Sequence, residues 1–260
     1  MEDGQSMPTL QAWLQQSMAS HGHQDALECG DVRWSYQELR EAAERVVASI
    51  DEHGRHAQTV GVLGYRSAAK YAGVAGVILA GRTYLPLHAN LSAEHTARML
   101  TLSGCELLFV SPESLDALEA VLPLLERKVT VILLDFDGTI EPNEYRTVSL
   151  QGRAPFVSRR TATAEDVAYV LYNVSNSQVA TGVEMSHKHI GPYVRSIQTR
   201  YGIGPSDRCS QTLDLTFDGS VHDIFVAWTS GACLHVPAKE CTIARASSLA
   251  VAASSLAIAS

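Results

Sequence analysis

A chain of 260 residues, 46% of them hydrophobic and 18% charged, can bury a sizeable core and lies outside the low-hydrophobicity, high-charge range of disordered chains. Its formal net charge of -8, with Arg159-Arg160 as the longest basic cluster, argues against the basic stripe with which proteins displace counterions from phosphates, so no nucleic-acid partner is expected. The five cysteines form no CxxC pair and are odd in number, which points to reduced thiols in a cytoplasmic protein rather than to a disulfide frame or a zinc site.

The start, Met1-Glu2-Asp3, lacks the positive charge and apolar core of a signal peptide, and no run reaches the roughly 18 to 20 apolar residues of a membrane span. A soluble protein with no membrane partner is expected. Residues 8 to 20 read as an amphipathic helix with Leu10, Trp13, Leu14 and Met18 on one face. Ser35 followed three residues later by Glu38 is a capping-box signature, and Leu39, Ala42, Ala43, Val46 and Val47 continue at helical spacing. Val60 to Leu63 reads as a strand and Ala68 to Ala80 as a helix ended by Gly81. Helices are expected at about 92 to 103 and 112 to 126, and strands at 107 to 110 and 129 to 134. From Asp135 to Glu165 no period is sustained. There follow a strand at 167 to 172, a polar loop at 173 to 182, a helix at 186 to 200, a strand at 209 to 213, a helix at 219 to 230 and a strand at 233 to 236.

Alternating strands and helices imply an α/β fold with helices layered on sheets that are at least partly parallel. The expected organisation is a first α/β subdomain at 1-140, a connection at 141-165, a second at 166-240 and an Ala/Ser-rich tail at 241-260.

Several motifs then occur in one familiar order. Tyr169-Val170-Leu171-Tyr172, a polar loop, and Thr181-Gly182-Val183 resemble the strand, glycine-rich loop and helix signature of adenylation domains. Trp34 to Leu39, Gly76 to Gly81 with Tyr84-Leu85-Pro86-Leu87, Asp207-Arg208, Phe217 to Phe225 and Ser230-Gly231-Ala232 resemble further motifs of the same family. The chain is thus similar, over residues 8 to 240, to the adenylation domains of nonribosomal peptide synthetases, members of the adenylate-forming superfamily.

The resemblance implies the N-terminal core subdomains of that fold, and ATP and Mg as cofactors. It also implies departures. The family's glycines and lysine wrap the triphosphate, because backbone amides approach an anion closely where side chains are absent. Here the loop is Asn173, Val174, Ser175, Asn176, Ser177, Gln178, Val179, Ala180, Thr181 and Gly182. Ser175 and Gln178 stand at glycine positions, Thr181 stands at the lysine position, and only Gly182 keeps its place. If each charge-assisted contact is worth about 1.5 to 3 kcal/mol, nucleotide and Mg binding is expected to be weak or absent. The family's later elements, including the lysine-bearing C-terminal domain, have no counterpart before Ser260, so the resemblance implies a truncated, catalytically impaired chain without catalytic residues or a metal site.

By the same resemblance, Asp218 in Phe217-Asp218-Gly219-Ser220 is expected to pair with the α-ammonium of an amino acid. Its other reading is a cap for a helix starting near Ser220. Phe217 reads as core packing under either reading of Asp218, and His222 stands at a pocket-wall position. The expected role is an interaction or scaffold subunit with a synthetase or carrier-protein partner, or alternatively an amino-acid-activating ligase completed by a partner chain. A third reading comes from Val131 to Thr139, which resembles a phosphatase motif with Asp135 as nucleophile and Asp137 as acid. Ser186-His187-Lys188-His189 is read as structural rather than as doing metal or acid-base work, and Arg66 as a surface or pairing residue, not a catalytic one, in a strand-to-helix turn.

Overall fold

The computed structural model describes residues 9–135, 145–151, 160–173 and 181–237. In chain order it contains α1 (Leu10–Ser20), β1 (Asp25–Cys29), β2 (Val32–Ser35), α2 (Tyr36–His53), β3 (Thr59–Leu63), α3 (Ala68–Leu79), β4 (Thr83–Leu87), α4 (Ala93–Leu102) and β5 (Leu107–Val110). Next come α5 (Leu115–Val121), β6 (Thr130–Asp135), β7 (Arg146–Ser149), β8 (Val167–Asn173), β9 (Thr181–Ser186), α6 (His187–Tyr201), β10 (Arg208–Ser210), α7 (Asp218–Ser230) and β11 (Cys233–Val236). Short 3₁₀ turns flank α5, so the single helix expected at 112 to 126 is divided around Pro112 and Pro123.

Seven strands form one sheet in the order β7-β6-β5-β3-β4-β8-β9, parallel except for the antiparallel β8–β9 hairpin. The inner strands are apolar on both faces because both faces are covered. Leu107 and Phe109 point into a large core shared with α1, α2, α3 and α7, while Leu108 and Val110 point into a smaller one under α4 and α5. A second sheet, β10-β11-β1-β2, pairs the two ends of the described chain, with Leu27 opposite Leu234. Both sheets therefore draw strands from both blocks of sequence, and no sheet belongs to one block alone.

Local chemistry explains the helix ends. Ser35 Oγ accepts the Glu38 N–H while Glu38 returns a bond to the Ser35 N–H, the expected capping box at the start of α2. Helices α2 and α3 come so close that a Cβ at Gly76 would lie 2.4 Å from Val46 Cβ, so only glycine fits there. The buried Gln11 satisfies both ends of its amide, donating to the Leu79 and Arg160 carbonyls and accepting from the Ala162 N–H, which ties the segment before β8 to the helical layer. Trp228 closes the other side of that layer. Its ring is fully buried, its Nε1 donates to the Ala26 carbonyl at 3.0 Å, and Tyr71 and Phe225 meet it edge-on. Among the described residues no helix is long and apolar enough to cross a membrane.

Candidate functional site

Strands β3 and β4 run parallel, and the chain leaves them into helices on opposite faces of the sheet, α3 in the large core and α4 in the small one. Clefts outside the carboxyl ends of such strands are the usual ligand sites of open α/β sheets. A cavity of about 510 Å³ opens beside the end of β4, bounded by the β8–β9 hairpin and the segment that leads into α7. Tyr169, Leu171 and Met185 form its apolar walls, and Asp214, Phe217 and Asp218 line it together with His88 and Asn90.

Its polar groups are ordered by bonds among themselves. The Asn90 N–H donates to His88 Nδ1 at 2.9 Å, so Nε2 carries the proton, and Nε2 lies 2.8 Å from the Asp214 carboxylate. Asp214 also accepts the Thr216 N–H and hydroxyl. Burial acts to raise the Asp214 carboxyl, but the bonds from His88 and Thr216 outweigh it and hold the group well below the usual carboxylate range. Asp214 is thus an anion already occupied by the protein. Asp218 is exposed at the mouth, where its carboxylate accepts the Gly219 N–H. It also reaches Tyr169 electrostatically: burial first, and the Asp218 charge second, push that phenol up to about 12.

The segment from Gln211 to Asp218 is fastened from behind. The Tyr71 hydroxyl donates to Gln211 Oε1 at 2.6 Å, and Arg66 donates to the Gln211 and Thr212 carbonyls. The Gln211 N–H donates to the His235 carbonyl. Arg66 is thereby a pairing residue.

A family profile for AMP-binding enzymes matches residues 14–255. The chain belongs to that family. Tyrocidine synthase 3 of Brevibacillus parabrevis is 29% identical over 226 residues, which cover 86% of this chain and 3% of that protein. Among solved structures, IdnL7 superposes with a TM-score of 0.76 at 27% identity over 89% of this chain and 46% of its own. FmoA3, a nonribosomal peptide synthetase, in its alpha-methyl-L-serine-AMP bound form gives a TM-score of 0.74 at 27% identity over 92% and 25% of the two chains. The chain therefore has the architecture of the N-terminal part of the adenylate-forming fold and spans a small share of the synthase and under half of the IdnL7 chain.

The structure brings Phe217, Asp218 and Asn173 of the expected site residues to one cavity, and Phe217, expected in the core, is exposed at its mouth instead. Ser175, Asn176, Ser177 and Gln178 lie outside the described residues. Thr181 and Gly182 are in strand β9, not in a loop, paired with Asn173 and Tyr172. A Cβ at Gly182 would sit 2.9 Å from the Tyr172 ring, so a larger residue there would have to displace that ring. Helix α7 starts at Asp218 with Phe217 as its N-cap and no side-chain cap, which removes the reading of Asp218 as the cap of a helix at Ser220. His222 does not line the cavity; its Nδ1 lies 2.9 Å from the Tyr193 hydroxyl.

His187 is buried, its Nδ1 accepts the Leu10 N–H at 3.2 Å, and burial, opposed by Asp166, pushes it down to about 4. It is a neutral clamp between α1 and α6. Asp135 is buried at the end of β6 and away from the cavity, and Asp137 lies outside the described residues. Among the described residues no three His, Cys, Asp or Glu side chains gather as a metal site. His88 and Asp214 escaped the sequence reading because they meet only through the fold. The available signal was a histidine directly after the apolar run Tyr84 to Leu87, at the carboxyl end of a parallel strand.

Proposed function

We propose that this chain binds an apolar amino acid through its α-ammonium at Asp218, with the side chain against Tyr169, Leu171 and Met185, and that it grips a nucleotide triphosphate poorly. The observation that carries the reading is the composition of the cavity. Its described lining contains two carboxylates, Asp214 and Asp218, and no lysine or arginine, so an ammonium is favoured there and a polyphosphate is repelled. The loop from Asn173 to Gly182 adds no positive side chain. This lining supports the amine and apolar body of an amino acid as the ligand over the phosphates of ATP with Mg. The alpha-methyl-L-serine-AMP bound form of FmoA3 supports an amino-acid ligand for this architecture.

In this reading the chain is a catalytically impaired adenylation subunit that serves a nonribosomal peptide pathway as an interaction or scaffold element toward a synthetase or carrier protein. Calorimetry of the 260-residue chain against the proteinogenic amino acids tests it. Binding of an apolar amino acid that weakens about tenfold or more in Asp218→Asn is expected for a lost charge-assisted contact. ATP-dependent pyrophosphate exchange by the chain alone would overturn the impairment. The exposed Asp218 favours one second reading, an amino-acid-activating ligase completed by a partner chain, for which exchange appears only when the partner is added.

A further inference from the structure

Helix α3 is buried along its whole length, and so is its one charged side chain, Lys70. An ammonium in such surroundings is expensive unless it is bonded, so its partners carry information. Lys70 Nζ donates to the Gly64 carbonyl at 2.6 Å and to the Leu87 carbonyl at 2.8 Å. These carbonyls belong to the peptide groups that lead into Tyr65 and His88, just past the ends of the neighbouring strands β3 and β4. The two rings then meet edge to face, with centroids 5.4 Å apart and planes at 89°. One ammonium thus fixes both peptide planes from which two touching rings depart. His88 passes that constraint on: its Nε2 meets Asp214, Asp214 holds Thr216, and Phe217 and Asp218 follow at the mouth.

We propose that Lys70 is a positioning residue for the cavity: by tying the Gly64–Tyr65 and Leu87–His88 peptide groups together it sets the His88 ring, and through Asp214 the rim that carries Asp218. What the rim binds rests on the proposed function; the control of His88 by Lys70 does not. Filling space is a different role, since methionine has nearly the length and volume of lysine and lacks the donors.

The test uses the 260-residue chain labelled with ¹⁵N-histidine. His88→Asn identifies the His88 ring signal by its loss. In the parent, His88 shows one Nε2–H tautomer; in Lys70→Met the signal moves to the averaged position of a ring exchanging tautomers, while Ile78→Val, which trims the same helix, leaves it in place. With L-phenylalanine as the binding probe, Lys70→Met weakens affinity about tenfold, and Lys70→Met with His88→Asn is no weaker than His88→Asn alone, because the two act in series. An unmoved His88 signal in Lys70→Met, or losses that multiply in the double variant, overturns the proposal. If Lys70→Met does not fold, Lys70→Leu, which also lacks the donors, carries the same comparison. Failure of L-phenylalanine to bind the parent counts against the proposed function and leaves the tautomer result to decide the role of Lys70.

Discussion

The back and the mouth of the cavity come from the same stretch of chain, residues 211 to 218, and are built by opposite means. At the back, Gln211 is fully buried; its side chain accepts from Tyr71, its N–H donates to the His235 carbonyl, and its carbonyl accepts from Arg66. At the mouth, Phe217 is 61% exposed and Asp218 is exposed beside it. Buried polar groups cost stability when a partner is removed, whereas exposed ones are already hydrated and cost little. The back therefore determines whether the cavity exists, and the mouth determines what enters it. Substitutions at the two ends should separate folding from binding.

The largest expected effect is in the core behind the back, where Tyr71, the partner of Gln211, meets Trp228. Trp228→Ala removes a fully buried indole, its bond to the Ala26 carbonyl and two edge-on ring contacts. A loss of about 3 to 5 kcal/mol in urea unfolding is expected. A loss below about 1 kcal/mol would show that α7 does not depend on this core.

A second, smaller effect separates the back from the mouth by pH. Burial pushes the Lys70 ammonium down to about 8, with Asp214 and Glu113 opposing. The unfolded chain keeps that proton until about pH 10.4, so between these values the unfolded state binds more protons and Lys70 contributes stability that rises with pH. Buried thiols act the other way, since burial pushes Cys29 up to about 11 and Cys105 up to about 12, so the total profile mixes signs. The difference between the parent and Lys70→Met cancels them. Parent stability relative to Lys70→Met should rise by about 2 kcal/mol from about pH 7.5 to about pH 10. A flat difference would mean that Lys70 is not a buried cation.

Much of this architecture was legible in the sequence where one local signal sufficed. The Ser35–Glu38 capping box marked the start of α2, and the Ala/Val run from Ala68 marked α3 to within a residue. Strand β4 was hidden because Pro86 interrupts an apolar run, and a proline lowers any strand reading. Strand β9 was hidden because Thr181, Gly182 and Glu184 read as loop; its order comes from pairing with β8. Strand β7 lies inside the stretch without a period, and its pairing with β6 supplies what its exposed side chains do not. In the site, Phe217 and Asp218 were visible through a motif, while His88, Asp214 and Lys70 act through partners far away in the chain, which spacing cannot encode.

The smallest expected effect lies at the mouth and has opposite signs for its two readouts. Phe217 is the N-cap of α7, in extended geometry with φ -95 and ψ 146, and offers no side-chain acceptor to the first-turn N–H groups. Phe217→Ser supplies one and removes a ring that is mostly exposed, so stability should rise by about 0.5 to 1 kcal/mol in urea. The same change removes one apolar side of the cavity, so affinity for an apolar amino acid should fall a few-fold, on the order of 1 kcal/mol. A phenylalanine kept at a position where serine is the better cap is best explained by what it does at the mouth. A Phe217→Ser variant that loses both stability and affinity would place the ring in the packing of the back instead, and the division between the two ends would fail at the residue that joins them.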